Sequence, residues 1–209
     1  MGYSCWASDA LCRVCFEELP RIGRPVCGRC GAPTAFEVYG CGRCRDEGFE
    51  LDGVRVPLRY VGVGKELVRG LKYKGYLRVV EKVIALLVTG ALGGSRFNLV
   101  VPVSLHRSRI TKRKFNQLEL MAKAVTGEIN VPVSDKLRTV RRTRDQVELP
   151  AEARRANVAG AYASRGLAVG SILLKDDIFA TGAALSECAG VLRRVGTGED
   201  QAQILCRTC

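Results

Sequence analysis

The stretch Ile172-Leu-Leu-Lys-Asp-Asp-Ile-Phe-Ala-Thr-Gly-Ala-Ala184 constrains this chain more than any other. An apolar run enters two adjacent carboxylates, a short loop closes on Ala-Thr-Gly-Ala, and a helix-forming segment follows. Short apolar runs of this kind are strands buried on both faces of a parallel sheet, and open α/β sheets hold ligands at the C-terminal ends of such strands. The strand is expected over Val169–Lys175, with Asp176 and Asp177 at its end and a helix over Ala183–Val195. Thr181, Gly182 and Ala183 then fall at a helix N-terminus, which offers N–H groups and a hydroxyl to an anion. Pattern alone leaves two readings open. One is a pair of carboxylates for sugar hydroxyls or a metal beside a phosphate cradle; the other is an ordinary strand-to-helix turn with a capping aspartate.

Seven of the ten cysteines lie in the first 44 residues, six of them as Cys12-x-x-Cys15, Cys27-x-x-Cys30 and Cys41-x-x-Cys44. Two such turns complete a tetrahedral zinc site. Disulfides compete with that reading, but the opening Met-Gly-Tyr-Ser-Cys-Trp lacks the basic start and apolar stretch of a secretion signal, so a reducing cytoplasmic location is expected. Cys27, Cys30, Cys41 and Cys44 make one full set; Cys12 and Cys15, with the isolated Cys5, lack a fourth protein ligand, and a second zinc stays open. Four thiolates leave no position for water, which makes the zinc structural. No run reaches the ~18 apolar residues of a membrane span.

The formal charge of +12 favours polyanionic partners. Between Leu105 and Arg144 eleven Lys/Arg face three acidic residues. That excess reads as a solvated basic face or as a surface for nucleic acid or a phosphorylated ligand. Leu99-Val-Val-Pro-Val103 is a further buried strand, Val54–Val61 another, and Gln201–Cys206 a last one; Leu77–Leu92 and Leu118–Val125 read as helices. Cys188 is expected as a small buried residue and Cys206 as part of the terminal strand.

Four further blocks stand out: Lys72-Tyr-Lys-Gly75, Val101-Pro-Val-Ser-Leu105, Arg109-Ile-Thr-Lys-Arg-Lys-Phe-Asn-Gln117, and the run from Leu137 through Thr143, Gln146, Arg154 and Asn157 to Tyr162, the last too polar and too widely spaced for core periodicity to explain. The acidic strand-loop segment resembles the ribose-phosphate signature of type I phosphoribosyltransferases. From about Cys12 onward the chain resembles the ComF family of bacterial competence and DNA-uptake proteins, which join a zinc ribbon to a phosphoribosyltransferase-like domain. The resemblance implies an α/β fold with a phosphoribosyltransferase-like parallel sheet flanked by helices. It also implies a division into a ribbon over residues 1–50 and a second domain over 51–209.

In roles, the resemblance implies that Asp176 and Asp177 are catalytic and that Thr181, Gly182, Ala183, Arg113, Asn116, Gln117 and Lys72 bind the ligand. Arg107, Arg109, Lys112, Arg141, Arg142, Arg144, Gln146, Arg154 and Asn157 would face nucleic acid. The implied function is a DNA-uptake accessory that binds single-stranded DNA and a ribose phosphate, partnered by a competence helicase or recombination mediator. The alternative is an active phosphoribosyltransferase using phosphoribosyl diphosphate and Mg²⁺. Lys72 also reads as a helix-end lysine satisfying carbonyls, and His106 as an exposed loop residue.

Several residues depart from the family pattern. Lys114 stands where Gly is usual and should redirect its loop, and Ser104 replaces Pro, which should loosen the preceding one. Ala180 and Ala184 replace threonines, each removing a phosphate hydrogen bond of roughly 1–3 kcal/mol. Lys175 either reaches the phosphates or wets the strand end.

Overall fold

The computed structural model describes residues 6–7, 10–46, 49–74, 87, 92, 95–143 and 150–208. The helix expected over Leu77–Leu92 lies almost wholly outside these residues, as do Cys5, Arg144, Gln146 and Cys209.

Near the N-terminus, β1 (Trp6–Ala7) pairs antiparallel with β2 (Ala10–Leu11), ahead of the short helices α1 (Arg13–Glu17) and α2 (Gly42–Asp46). The strand expected over Val54–Val61 is two pieces, β3 (Gly53–Arg55) and β4 (Leu58–Arg59), because Pro57 cannot donate to a ladder. Helix α3 (Gly62–Arg69) buries Leu67 and Val68 and runs into a π-helical turn over Gly70–Lys74. After β5 (Leu99–Pro102) come α4 (Arg107–Arg113) and α5 (Gln117–Ile129). Helix α5 buries Leu118, Met121, Ala122 and Val125, the one-sided stripe of period 3.6, and closes on Asn130 in the left-handed region. Strand β6 (Leu137–Thr139) pairs antiparallel with β7 (Tyr162–Ser164), with α6 (Ala151–Val158) between them in sequence. The chain ends with β8 (Gly170–Phe179), α7 (Ala183–Arg193) and β9 (Thr197–Arg207).

This is an α/β fold. The central sheet runs β3-β9-β8-β5, with β4 also on β9, and every one of these pairings is parallel. Ile172, Leu173 and Leu174 are fully buried at its centre, as a continuous apolar run requires of a strand covered on both faces. Strand β8 is longer than its apolar run predicts, so the two aspartates lie inside it and not beyond its end. The β5 ladder stops at Pro102 opposite Lys175, while the β9 ladder continues to Arg207 opposite Phe179. Among the described residues, Asp176 to Phe179 therefore form a shelf with a strand partner on one side only.

Residues Glu50–Asp52 are clamped to this sheet. The Arg193 guanidinium meets Asp52 at 2.9 Å, Asp200 at 3.0 Å and Glu50 at 3.3 Å. Asp200 is fully buried, and burial pushes its carboxyl up to about 6 even though Arg193 pulls the other way. Arg193→Ala is expected to cost about 3 kcal/mol in urea denaturation, because one buried carboxylate loses its counter-ion. Arg193→Lys, a point charge in place of a fork, should recover only part of that loss.

Candidate functional site

The shelf forms the floor of a cavity of about 340 Å³. Asp176 and Asp177 line it from β8, Ser104, Leu105 and His106 from the turn after β5, and Thr139, Thr143 and Tyr162 from the β6–β7 side. Arg69, Lys72 and Tyr73 come from α3 and its π turn, Arg109 and Arg113 from α4, and Gln117 from the first position of α5.

Asp177 is held at both oxygens. Lys72 Nζ lies 2.9 Å from Oδ1, with the two side chains only 18% and 9% exposed, and Gln117 Nε2 donates to Oδ2 at 3.1 Å. Burial alone would raise this carboxyl; Lys72 and Gln117 outweigh it and bring it below the usual range. Burial likewise opposes the charge on Lys72, and Asp177 more than restores it. Asp176 behaves differently. Burial, then the Asp177 charge, pushes it up to about 7, against the 2.8 Å hydrogen bond that its Oδ1 accepts from the Asp177 N–H. A carboxylate only accepts, so Gln117 must turn its amide nitrogen to Asp177. Its Oε1 is then a buried acceptor with no hydrogen-bond partner among the described residues, in a residue 1% exposed.

The other predicted ligand residues divide. Arg113 lines the cavity and stacks 5.7 Å over the Tyr73 ring. Asn116 instead caps α5, its Oδ1 accepting from Leu118 N–H at 3.1 Å. Thr181, Gly182 and Ala183, expected in one pocket with the aspartates, line a second cavity of about 570 Å³ with Phe49, Ser186 and Arg194. Ala180 and Ala184 face the first cavity in their place. The Thr181 hydroxyl accepts from Ala183 N–H at 3.5 Å. Gly182 sits at φ 78°, and a Cβ there would collide with the Phe49 and Phe179 rings.

Of the residues assigned to nucleic acid, Arg107 and Arg142 are exposed, and Arg109 lines the cavity while donating to Thr143 O at 3.1 Å. Arg141 donates to Asn157 O at 3.0 Å and Ala159 O at 2.8 Å, bracing the end of α6. Arg154 and Asn157 are half-buried on α6, and Lys112 lies on α4. His106 is half-buried in the cavity wall, not a free loop residue. Its Nδ1 accepts from Ser108 N–H at 3.2 Å and lies 2.8 Å from the Ser108 hydroxyl.

Three of the residues that depart from the pattern the sequence resembles have structural outcomes. Lys114 adopts φ 64°, so the left-handed turn persists without glycine, at a cost of roughly 1–2 kcal/mol. Ser104 does not loosen its loop: its Oγ accepts from Thr139 N–H at 3.1 Å and its carbonyl from the Thr139 hydroxyl at 2.8 Å. Lys175 neither reaches the cavity nor wets the strand. It is fully buried, donates to Gln203, and its amine is depressed by burial to about 7 while Asp176 and Asp177 pull it back up. An amine depressed on folding weakens the native state below its folded pKa and ceases to do so above the unfolded value. Lys175→Met is therefore expected to gain on wild type most below about pH 7, and that gap should narrow by ~2–4 kcal/mol between pH 7 and pH 10 in denaturation titrations.

Reading the sequence missed Arg69 and Tyr60, both in the cavity wall. Arg69 precedes Lys72 by three residues, a spacing that shares a helix face and could have flagged it. Tyr60 directly follows the edge strand β4, at the strand ends where ligand residues gather in open sheets.

The four cysteines 27, 30, 41 and 44 bring their sulfurs within 4.8 Å of one another. Individual separations are 3.8 Å (Cys27–Cys44), 3.7 Å (Cys30–Cys41) and 3.8 Å (Cys41–Cys44). Tetrahedral thiolates at ~2.3 Å from one ion stand about 3.8 Å apart, so the set fits a metal ion and is consistent with structural zinc. Cys12 and Cys15 are not gathered with them; Cys12 Sγ accepts from Cys15 N–H at 3.4 Å and caps α1. Cys30→Ser is expected to release one metal equivalent per chain by elemental analysis. Tm should fall by roughly 10 °C, the shift that losing ~3–4 kcal/mol produces at this size.

Fold and site together define an α/β protein with a mostly parallel sheet, a charged cavity at the C-terminal ends of its strands and a four-cysteine ribbon. No family model matches the chain. It is 26% identical to competence protein F of Haemophilus influenzae over 215 residues, covering 96% of this chain and 92% of that protein. It is 26% identical to DNA utilization protein YhgH of Escherichia coli K12 and 27% identical to that of Salmonella typhimurium, over 95% of this chain and 90% of each relative. These near full-length matches support a ComF family assignment. Among the described residues no helix is long and apolar enough to cross a membrane.

Proposed function

We propose that this protein is a DNA-uptake accessory that binds single-stranded DNA on its basic surface and holds a ribose-phosphate moiety in the cavity at Asp176 and Asp177. The names of its relatives, competence protein F and DNA utilization protein, support the first half. The observation that carries the second is Gln117 Oε1, a buried acceptor without a partner among the described residues, in a wall that also presents carboxylates and guanidinium groups. An orphaned buried acceptor calls for a donor, and a sugar hydroxyl is one. Arg69, Lys72, Arg109 and Arg113 outnumber the two aspartates, which favours a ligand that also carries phosphate. Zinc at the four cysteines belongs to the same reading, as the ion that closed four-thiolate sites most often hold. Phosphoribosyl transfer has less support, since the described residues lining the cavity offer no base-selecting pocket and Ala180 and Ala184 carry no hydroxyl. Release of pyrophosphate from phosphoribosyl diphosphate in the presence of Mg²⁺ and a base would favour turnover over this reading.

Fluorescence anisotropy with a labelled single-stranded oligonucleotide tests the DNA half. With three or four phosphates contacted, affinity should fall about 20- to 50-fold between 50 and 200 mM salt. The exposed pair Arg107→Ala and Arg142→Ala should flatten the log–log salt slope by about 1.4. Absence of binding at 50 mM salt overturns the proposal.

A further inference from the structure

The acid pair of this cavity faces a cation of the protein's own. A divalent ion such as Mg²⁺ requires carboxylate and water oxygens at ~2.0–2.1 Å in near-octahedral order. Both oxygens of Asp177 are already engaged, one by the Lys72 ammonium at 2.9 Å and one by the Gln117 amide at 3.1 Å. Oδ1 of Asp176 accepts the Asp177 N–H at 2.8 Å. Arg69, Arg109 and Arg113 complete the surroundings, and their charge opposes a further cation. The donor set does not suit a divalent metal.

The position of Lys72 is built and not incidental. It lies on the π turn that follows α3, an interruption common at functional sites. Its ammonium is mostly buried and would be costly to place there without Asp177. Gln117 is locked from the other side by the start of α5, whose cap is Asn116.

We infer that the Lys72 ammonium is a built-in counter-ion standing where a divalent cation would otherwise sit, so that the cavity takes its phosphorylated ligand without metal. The last clause rests on the ribose-phosphate reading; the counter-ion itself does not. Lys72 is a positioning residue for the acid pair. It keeps Asp177 ionised and oriented, as a bound metal would, and leaves the guanidinium groups to meet phosphate.

Mn²⁺, titrated into the metal-replete full chain and followed by electron paramagnetic resonance, tests the counter-ion directly. The wild type is expected to show no Mn²⁺ site that Asp177→Asn abolishes. Lys72→Ala should acquire one site per chain, at least tenfold tighter than any in the wild type, and adding Asp177→Asn should remove it. A wild-type Mn²⁺ site lost on Asp177→Asn overturns the inference, and so does a Lys72→Ala protein that gains none. Should Lys72→Ala fail to fold, Lys72→Gln, which keeps most of the stem and drops the charge, is held to the same outcomes. Ribose 5-phosphate, measured by calorimetry with EDTA or with Mg²⁺, separates the two readings. Equal affinity in both supports metal-free binding, and a need for Mg²⁺ overturns it. Binding in neither condition overturns the ribose-phosphate reading, while the Mn²⁺ titration still decides the counter-ion.

Discussion

The offset between neighbouring ladders governs this structure. Strand β5 stops pairing at Lys175, while β8 and β9 continue together to Phe179 and Arg207. The acid pair and the floor of its cavity lie on that four-residue overhang. Above it the turn after β5 peels away and leaves room for the cavity; at its edge Lys72 and Gln117 reach Asp177. At its far end Arg207, 2% exposed, donates to Cys30 O at 2.7 Å and stacks 5.1 Å over Phe179. One register choice thus sets both the depth of the site and the seat of the ribbon.

Two lysines near the overhang illustrate how position decides the state of a charge. Lys72 is mostly buried but touches a carboxylate, and its ammonium form is favoured. Lys175 shares a strand with the same aspartates yet meets an amide, and desolvation dominates. Direct contact offsets the loss of water; proximity alone does not.

Much of the fold was legible from the chain. Ile172–Leu174 read as a buried strand, Leu118–Val125 read as a helix, and the cysteine spacing picked out Cys27, Cys30, Cys41 and Cys44 as one set. What was not legible depends on partners distant in sequence. The length of β8 is set by β9, which carries its ladder past the acid pair. The parting of Thr181–Ala183 from the aspartates reflects how the loop wraps around Phe49 and Phe179, and no local pattern encodes that direction. Lys114 shows the converse: a residue ill-suited to a left-handed turn is held there because the ends of α4 and α5 fix the path.

The contacts around Gly182 bear on how such a protein can vary over evolution. Phe49 leans on Gly182, Arg29 holds the carbonyls of Phe49 and Leu51, and Glu50 N–H reaches Ser186 Oγ at 3.0 Å. The segment following the ribbon is therefore a wall of the second cavity, not a leash. A ribbon swapped in from another protein would arrive without that wall, so ribbon and loop can change only as a matched pair.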